Sequence, residues 1–270
     1  MATYLDRIAA WHRAKASADR RDLTELAARA SVTSPPRDFM EALKAPRSRS
    51  SATAAIALVA EIKRRSPSKG DLAADLDPVE VARAYASGGA SCLSVLTDGP
   101  HFGGSPNDLE SARSAVRIPV LRKDFTVSAA DLYDARIMGA DAVLLIVAML
   151  DTWELAALHK TASEMDMAVL VEVHDEDELE RALEVGAELV GVNQRDLRTF
   201  EVDRERAVRV ARHVPVGVLK IAESGVESPA DVAALARAGF DAVLVGEALL
   251  RSRDRTAAVA ELLGRTVPCG

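Results

Sequence analysis

Four stretches of the chain run apolar residues directly into side chains that can move protons or bind an anion. They are VAEIKRRSPSKG at 59–70, IPVLRKDF at 118–125, LVGVNQRDL at 189–197 and LKIAESGV at 219–226. A continuous apolar run of this length is typical of a buried parallel strand. Lysine and glutamate there can act as acids, bases or nucleophiles, whereas asparagine, arginine and serine can hold a charged substrate. The pattern predicts one active site assembled from the ends of several strands.

The first group comprises Glu61, Lys63 and Ser66. Glu61 and Lys63 are two residues apart in an extended segment, so both point to one face of the sheet, which in a barrel can be the interior mouth. A buried charge pair is costly at that place unless it meets a ligand or a partner. The alternative is a salt bridge that only fills the barrel, with the following Ser-Pro-Ser as an ordinary turn.

Lys123 ends the third apolar run, directly after Val120 and Leu121. We expect its apolar surroundings to lower its pKa, which would suit a general acid, a base or a Schiff-base nucleophile. The alternative is a lysine that extends to solvent. Its neighbours Arg122 and Asp124 alternate onto the opposite face and are expected to be structural.

Glu172 ends a further apolar run, VLVEVHD, and we expect burial to raise its pKa and make it a general acid or base. The adjacent His174 is expected to be a local hydrogen-bonding residue. Asn193 offers a neutral donor and acceptor, and Arg195 offers a fork for carboxylate or phosphate. Arg195 could equally brace a neighbouring carboxylate.

Two short sequences in consecutive units predict a phosphate site. Glu223, Ser224 and Gly225 follow the seventh run, and Gly246 and Glu247 follow the eighth. Phosphate sites in barrels commonly use the loops after these two strands. Ser224 and Gly225 can donate a hydroxyl and backbone amides, whereas Glu247 is expected to turn its side chain outward and its amide inward.

Strands and amphipathic helices alternate after residue 55. The predicted strands are Ala57–Lys63, Ser91–Thr97, Val120–Lys123, Ala142–Val147, Ala168–Val173, Leu189–Asn193, Val218–Ala222 and Ala242–Gly246. Several intervening helices end in glycine, which supplies a left-handed C-cap before the chain re-enters the sheet. Eight such units favour an α/β fold of the (β/α)8 TIM-barrel type over residues 55–270. An open doubly wound sheet is the alternative, but the Gly-rich turn expected after its first strand is missing.

Residues 1–54 precede the repeating units and are predicted to be a helical extension with a connection at Ala45–Thr53. The extension has an apolar stripe, so it must lie on something. We expect it over or beside the mouth of the barrel, where it would limit water entry. The alternative is the opposite, N-terminal face, where it would act only on stability.

The composition limits the function class. The chain has 270 residues, 49% hydrophobic and 28% charged, and a formal net charge of −7, which does not favour nucleic acid or anionic membranes as partners. Two cysteines and no signal-peptide stretch predict a cytoplasmic protein. The five histidines are scattered and no metal-binding motif occurs, so no metal is expected.

The ordered set EIKRRSPSKG, SVLTD with HFGGS, PVLRKDF, LVEVHD, GVNQRDL, AESGV and VGEALL resembles the indole-3-glycerol-phosphate synthase family of tryptophan biosynthesis. Each motif alone is weak, but together they match in order from about Ala57 to Leu250. The resemblance implies closure of 1-(2-carboxyphenylamino)-1-deoxyribulose 5-phosphate to indole-3-glycerol phosphate, with release of carbon dioxide and water. The reaction involves no redox change, so no cofactor is expected.

The resemblance also implies roles for individual residues. Lys123 is similar to the family's general acid, Glu172 to the acid/base of the dehydration, and Asn193 to the residue that holds the departing hydroxyl. Lys63 would bind the anionic substrate and Glu61 would orient Lys63. Further residues match family site positions: Ser66, Glu223 and Ser224, the phosphate cradle of Gly225, Gly246 and the Glu247 amide, and the ring-side aromatics Phe102 and Phe125.

Three other functions are weighed for the same barrel. They are a Schiff-base aldolase with Lys123 as nucleophile, a phosphate-binding barrel without activity, and a sugar-phosphate isomerase. The paired lysines suit closure and decarboxylation better than isomerisation. The expected partner is a small phosphorylated molecule, and the expected assembly is a monomer or a weak homodimer.

Overall fold

The computed structural model describes residues 3–44, 56–66, 70–73, 75–196 and 200–265. Eight parallel strands form a closed barrel in which the first strand pairs with both the second and the eighth. The strands are β1 Ala57–Ile62, β2 Cys92–Leu96, β3 Val120–Lys123, β4 Ala142–Ile146, β5 Ala168–Val173, β6 Leu189–Asn193, β7 Leu219–Glu223 and β8 Ala242–Val245. The predicted TIM barrel is therefore confirmed, and each predicted strand matches within about one residue at either end.

The strands are buried because helices cover the outside of the barrel and side chains fill its interior. Every residue of β1, β2, β4, β6 and β8 is buried. A strand covered on both faces cannot alternate apolar with polar residues, which explains the continuous apolar runs in the sequence. Polar residues of the active site can enter this pattern only where the strands end.

Helices return the chain from the end of each strand to the start of the next. In chain order after the extension they are α4 Pro78–Gly88, α5 Gly99–Phe102, α6 Pro106–Ala115, α7 Ala129–Ile137, α8 Thr152–Ser163, α9 Glu176–Glu184, α10 Arg204–Ala211, α11 Pro229–Arg237, α12 Glu247–Arg251 and α13 Arg255–Leu262. Aspartate or serine side chains cap most of their N-termini, as at Asp77, Ser128 and Ser228. Gly89 and Gly139 adopt φ values of +102° and +89° just after their helices, as the glycine signature predicts.

The N-terminal extension consists of α1 Tyr4–Ala18, α2 Leu23–Ser31 and α3 Phe39–Lys44. At the carboxyl end of the strands, Arg13 of α1 binds Glu154 at 2.6 Å and the carbonyl oxygen of Met149 at 2.9 Å. At the opposite end, α3 buries Phe39 and Leu43 against β1 and β2. The extension thus reaches both ends of the barrel. Helix α1 lies at the mouth of the barrel, as expected for the extension, whereas α3 lies at the N-terminal face, which was the alternative.

Some sequence features lie outside the described residues or were not predicted. The connection at Ala45–Thr53, with the boundary predicted between residues 54 and 55, lies outside them. An antiparallel pair, Arg65–Ser66 with Gly70–Asp71, follows β1 and was not predicted. Among the described helices, none combines the length and the apolar character required to cross a membrane.

Candidate active site

A cavity of about 620 Å³ opens at the carboxyl ends of the barrel strands. The structure brings all of the predicted site residues to its walls: Glu61, Lys63, Ser66, Phe102, Lys123, Phe125, Glu172, Asn193, Arg195, Glu223, Ser224, Gly225, Gly246 and Glu247. They come from strands and loops spread over most of the chain, and barrel closure is what brings them together. This is the end of the barrel at which such enzymes carry out their chemistry.

Lys123 lies at the centre of a buried charge cluster. Its Nζ is 2.7 Å from Oε2 of Glu172 and 3.0 Å from Oε2 of Glu223. Burial by itself lowers the pKa of this ammonium group, but the two carboxylates outweigh burial and raise it above its ordinary value. The expectation of a lowered pKa is therefore wrong. The sequence shows the apolar neighbours of Lys123 but not the two charges that meet it.

The two carboxylates beside Lys123 have opposite pKa shifts. Burial raises the pKa of Glu172, but Lys123, His174 and the Asn193 amide together lower it to about 2. Burial, assisted by the charge of Glu172, raises the pKa of Glu223 to about 7 even though Lys123 opposes the shift. The expected raised pKa thus belongs to Glu223 rather than to Glu172, because Glu172 has more donors around it.

Asn193 connects the carboxylate cluster to the neighbouring loops. Its Nδ2 donates to Oε1 of Glu172 at 3.0 Å, and its Oδ1 accepts from the Ser224 hydroxyl at 2.9 Å and from the Arg195 amide at 3.0 Å. These three contacts fix which side of the amide faces Glu172. The Arg195 guanidinium donates to the carbonyl oxygen of Phe200 at 3.0 Å, so it braces the loop after β6.

Glu61 and Lys63 form the ion pair that their spacing predicts, with 2.5 Å between Oε1 and Nζ. The carboxylate occupies space that only glycine leaves free, because a Cβ on Gly246 would lie 2.4 Å from Glu61 Oε1. Nearby, the buried Ser66 hydroxyl has no hydrogen-bond partner among the described residues. A buried hydroxyl without a partner at a cavity wall is well suited to bind a substrate oxygen.

The loops after β7 and β8 form the predicted anion-binding side of the cavity. Ser224 and Gly225 have φ values of +67° and +72°, and a Cβ on Gly225 would lie 2.7 Å from a methyl group of Val202. The Glu247 carboxylate pairs with Arg251 along α12 at 2.7 Å, as expected for a side chain directed away from a bound anion. The backbone amides of these loops can donate hydrogen bonds to a phosphate.

Aromatic and apolar side chains cover the opposite side of the cavity. The rings of Phe102 and Phe125 lie 5.9 Å apart between centroids. Helix α1 adds Leu5, Ile8 and Tyr4, and the Tyr4 ring meets Phe200 edge-on at 5.3 Å. An aromatic substrate ring would therefore find an apolar wall on one side and polar groups on the other.

The structure also reveals two histidine contacts that the sequence analysis missed. His12 of α1 and His101 both bind Asp98, at 3.2 Å and 3.1 Å, and potential metal-ligand atoms of the three residues lie within 4.8 Å of one another. Burial works against the Asp98 carboxylate, but its hydrogen bonds to His12 and His101 outweigh burial and lower its pKa. The cluster joins α1 to the loop after β2. His174, expected to be a local hydrogen-bonding residue, contacts Glu178 at 3.0 Å and also lies 3.7 Å from Glu172.

Solved structures share the architecture at low sequence identity. Thiamine phosphate pyrophosphorylase from Pyrococcus furiosus superimposes with a TM-score of 0.57 at 18% identity, covering 77% of this chain and 93% of that protein. The N-acetylmannosamine-6-phosphate 2-epimerase from Clostridium perfringens gives a TM-score of 0.57 at 13% identity, covering 71% and 86%. At these identities the likeness establishes the fold alone.

Sequence relatives are far closer. The family model for indole-3-glycerol phosphate synthase matches residues 5–262. The indole-3-glycerol phosphate synthase of Mycobacteroides abscessus is 50% identical over 242 residues, which are 90% of this chain and 86% of that protein. The enzyme of the same name from Mycolicibacterium gilvum is 49% identical over 264 residues, or 97% and 94%. The chain belongs to the indole-3-glycerol phosphate synthase family.

Proposed function

We propose that this chain closes the indole ring of its substrate with Lys123 as the general acid. The substrate is 1-(2-carboxyphenylamino)-1-deoxyribulose 5-phosphate, and the products are indole-3-glycerol phosphate, carbon dioxide and water. The observation that carries the assignment of roles is the Lys123 ammonium group held between Glu172 and Glu223, at 2.7 Å and 3.0 Å, inside the cavity. Family membership supports the reaction, and this geometry supports the roles.

The two sides of the cavity suit the two ends of this substrate. The phosphate would meet the backbone amides of Gly225, Gly246 and Glu247, and the carboxyphenyl ring would lie along Phe102 and Phe125. Lys63, held by Glu61, would bind the substrate carboxylate, and the Ser66 hydroxyl would contact a substrate oxygen. The phosphate then serves as a remote handle whose binding energy positions the reacting carbon.

The charges of the cluster fit the order of the steps. Lys123 stays protonated in the free enzyme because two carboxylates raise its pKa, so it can give its proton to the substrate carbonyl oxygen as the aryl carbon attacks. Carbon dioxide then leaves and the ring regains its aromaticity. Glu172 acts as the acid/base of the dehydration, with Asn193 beside it to hold the departing hydroxyl.

Glu223 has a separate role in this scheme. Its pKa of about 7 leaves it partly protonated near neutrality, and its Oε2 lies 3.0 Å from Lys123 Nζ. It can therefore return a proton to Lys123 after each turnover. Ser224 keeps Asn193 in place through its hydroxyl, and Arg195 binds the carbonyl oxygen of Phe200 after β6.

A Schiff-base aldolase on the same barrel is the second candidate, because it too would use Lys123. A nucleophilic amine must be neutral, whereas two carboxylates raise the Lys123 pKa and favour its charged form. Treatment with borohydride in the presence of substrate separates the two mechanisms. Irreversible inactivation with a mass increase on Lys123 would support the aldolase and contradict the general-acid role.

The direct test of the proposed reaction is to mix the chain with the carboxyphenylamino sugar phosphate. Absorbance of the indole ring should appear together with an equal amount of carbon dioxide, without added metal or cofactor. Substrate that remains unchanged with folded protein would refute the proposal. A cytoplasmic location and a monomeric or weakly dimeric state remain predictions from the sequence, and sedimentation of the purified chain would check the latter.

A further inference from the structure

His174 lies beside Glu172 but is not among the residues that line the substrate cavity. Its Nε2 is 3.7 Å from Oε1 of Glu172, is buried, and has no hydrogen-bond partner among the described residues. The His174 and Glu172 side chains are 12% and 1% exposed, so little water can intervene. A buried ring nitrogen that faces a catalytic carboxylate needs a physical account.

The contacts of the other ring nitrogen, Nδ1, determine its protonation and the orientation of the ring. Nδ1 of His174 lies 3.0 Å from Oε2 of Glu178, and the backbone amide of His174 donates to the same oxygen at 2.7 Å. Because an ionised carboxylate only accepts hydrogen bonds, Nδ1 must carry a proton. Glu178 is on the first turn of α9, so the fold fixes the ring orientation.

Whether Nε2 carries a proton depends on the Glu172 carboxylate that it faces. A neutral ring would present a lone pair to the Glu172 carboxylate, placing two acceptors together in a buried site. A protonated ring presents a donor. Burial opposes the charge and Arg206 repels it, but Glu178 and Glu172 outweigh both and raise the pKa of His174. These three residues are the charged groups that face the ring from β5, α9 and α10.

We propose that His174, as an imidazolium ion, is the positioning residue that keeps Glu172 ionised and distinguishes it from Glu223. This rests on the proposed function, in which Lys123 gives up its proton. Once Lys123 is neutral, two buried carboxylates remain with no cation between them, and one must take up a proton. His174 stands beside Glu172 and not beside Glu223, so Glu223 takes a proton from solvent and Glu172 stays available as a base. This is the one proton that the net reaction consumes when the substrate carboxylate leaves as carbon dioxide.

The surroundings of the two carboxylates agree with this division. Glu172 has contacts with Lys123, Asn193 and His174. Oε1 of Glu223 has no hydrogen-bond partner among the described residues. The two groups would otherwise be equivalent neighbours of one lysine. His174 and Asn193 make them unequal, His174 through a positive charge beside Glu172, and the negative charge of Glu61 adds to the difference by raising the pKa of Glu223.

The first experiment observes the imidazole directly and does not depend on activity. Long-range ¹H–¹⁵N NMR of His174 should show both nitrogens protonated at pH 7, with a midpoint above the ordinary value of about 6.5. Glu172→Gln and Glu178→Gln should each lower that midpoint. A neutral ring at pH 7, or a midpoint that Glu172→Gln leaves unchanged, would overturn the proposal.

The second experiment follows turnover against pH. His174→Gln should lower kcat by about tenfold or more, because a loss of about one pKa unit of charge stabilisation at Glu172 corresponds to about tenfold, and leave KM within about twofold. The wild-type decline of kcat as His174 loses its proton at rising pH should disappear in the variant. The exposed His213→Gln is the matched control and should behave as wild type.

The outcomes separate the two claims. A His174→Gln variant with wild-type kcat and an unchanged pH profile would overturn the role of His174. Absence of turnover in the wild type would refute the proposed function, and the NMR titration would still decide the charge state of the ring.

Discussion

The pKa of Glu223 makes a quantitative prediction about stability. This carboxyl group is 2% exposed, and its pKa is raised from 4.5 to about 7. Between these two values the folded chain binds a proton that the unfolded chain does not. The free energy of unfolding must therefore fall as pH rises through this window, because the buried group has to ionise.

The size of the effect follows from the two pKa values. One pKa unit corresponds to about 1.4 kcal/mol, and integrating the titration from pH 5 to pH 8 gives a loss of roughly 2–3 kcal/mol from this group. Glu223→Gln has nearly the same shape and cannot ionise. The wild type should lose roughly 2–3 kcal/mol more than the variant over this range. The contributions of distant titrating groups cancel in the difference, whereas Glu172 and Lys123 are coupled to Glu223 and titrate with it.

Urea unfolding of both proteins at several pH values between 5 and 8 measures this difference. Glu164→Gln is the control, because its carboxylate is 63% exposed and its substitution should leave the pH dependence unchanged. Parallel curves for the wild type and Glu223→Gln would refute the raised pKa. That result would also refute the role of Glu223 as the group that returns a proton to Lys123.

The other predictions concern the phosphate side and the extension. The double substitution Ser224→Asp and Gly246→Asp should raise KM far more than it lowers kcat, since two carboxylates would repel the phosphate dianion. In the wild type, inorganic phosphate should compete with substrate. An unchanged KM in the variant would show that the phosphate does not bind at these two loops. Removing residues 1–19 deletes α1, with Leu5 and Ile8 of the cavity wall, and should reduce turnover with a smaller loss of stability. Leu43→Ala in α3 should do the reverse, costing about 2–5 kcal/mol in unfolding free energy with turnover retained at low temperature. Thermal melts and kinetics on the same samples test both predictions. If the α1 deletion and Leu43→Ala had equal effects on turnover and on stability, the separate roles of α1 and α3 would be contradicted.

The barrel could be predicted from the sequence because its signals are local. A strand covered on both faces must be apolar throughout, so β5 and β6 are visible as Ala168–Val173 and Leu189–Asn193 without any knowledge of their neighbours. The pair Arg65–Ser66 and Gly70–Asp71 escaped prediction because two-residue strands leave no periodicity to detect.

The site residues could be named from the sequence, but their charges could not. Lys123 has apolar neighbours along the chain, yet its pKa is set by Glu172 and Glu223, which are 49 and 100 residues further on. His174 is a different case, because it was expected to hydrogen-bond locally and both of its partners are close along the chain, Glu178 four residues away and Glu172 two. Its second contact, with Glu172, depends on how the end of β5 is packed.

The measurement that tests the central claim most directly is single turnover by Lys123→Met. With enzyme in excess over substrate, the appearance of indole absorbance reports the chemical steps, and calorimetry reports the substrate dissociation constant. General acid catalysis by Lys123 predicts a rate lower by about 10²–10⁴-fold or more. The dissociation constant should change far less, since the phosphate and ring contacts remain. A folded variant that closes the ring at a near-normal rate would contradict the account.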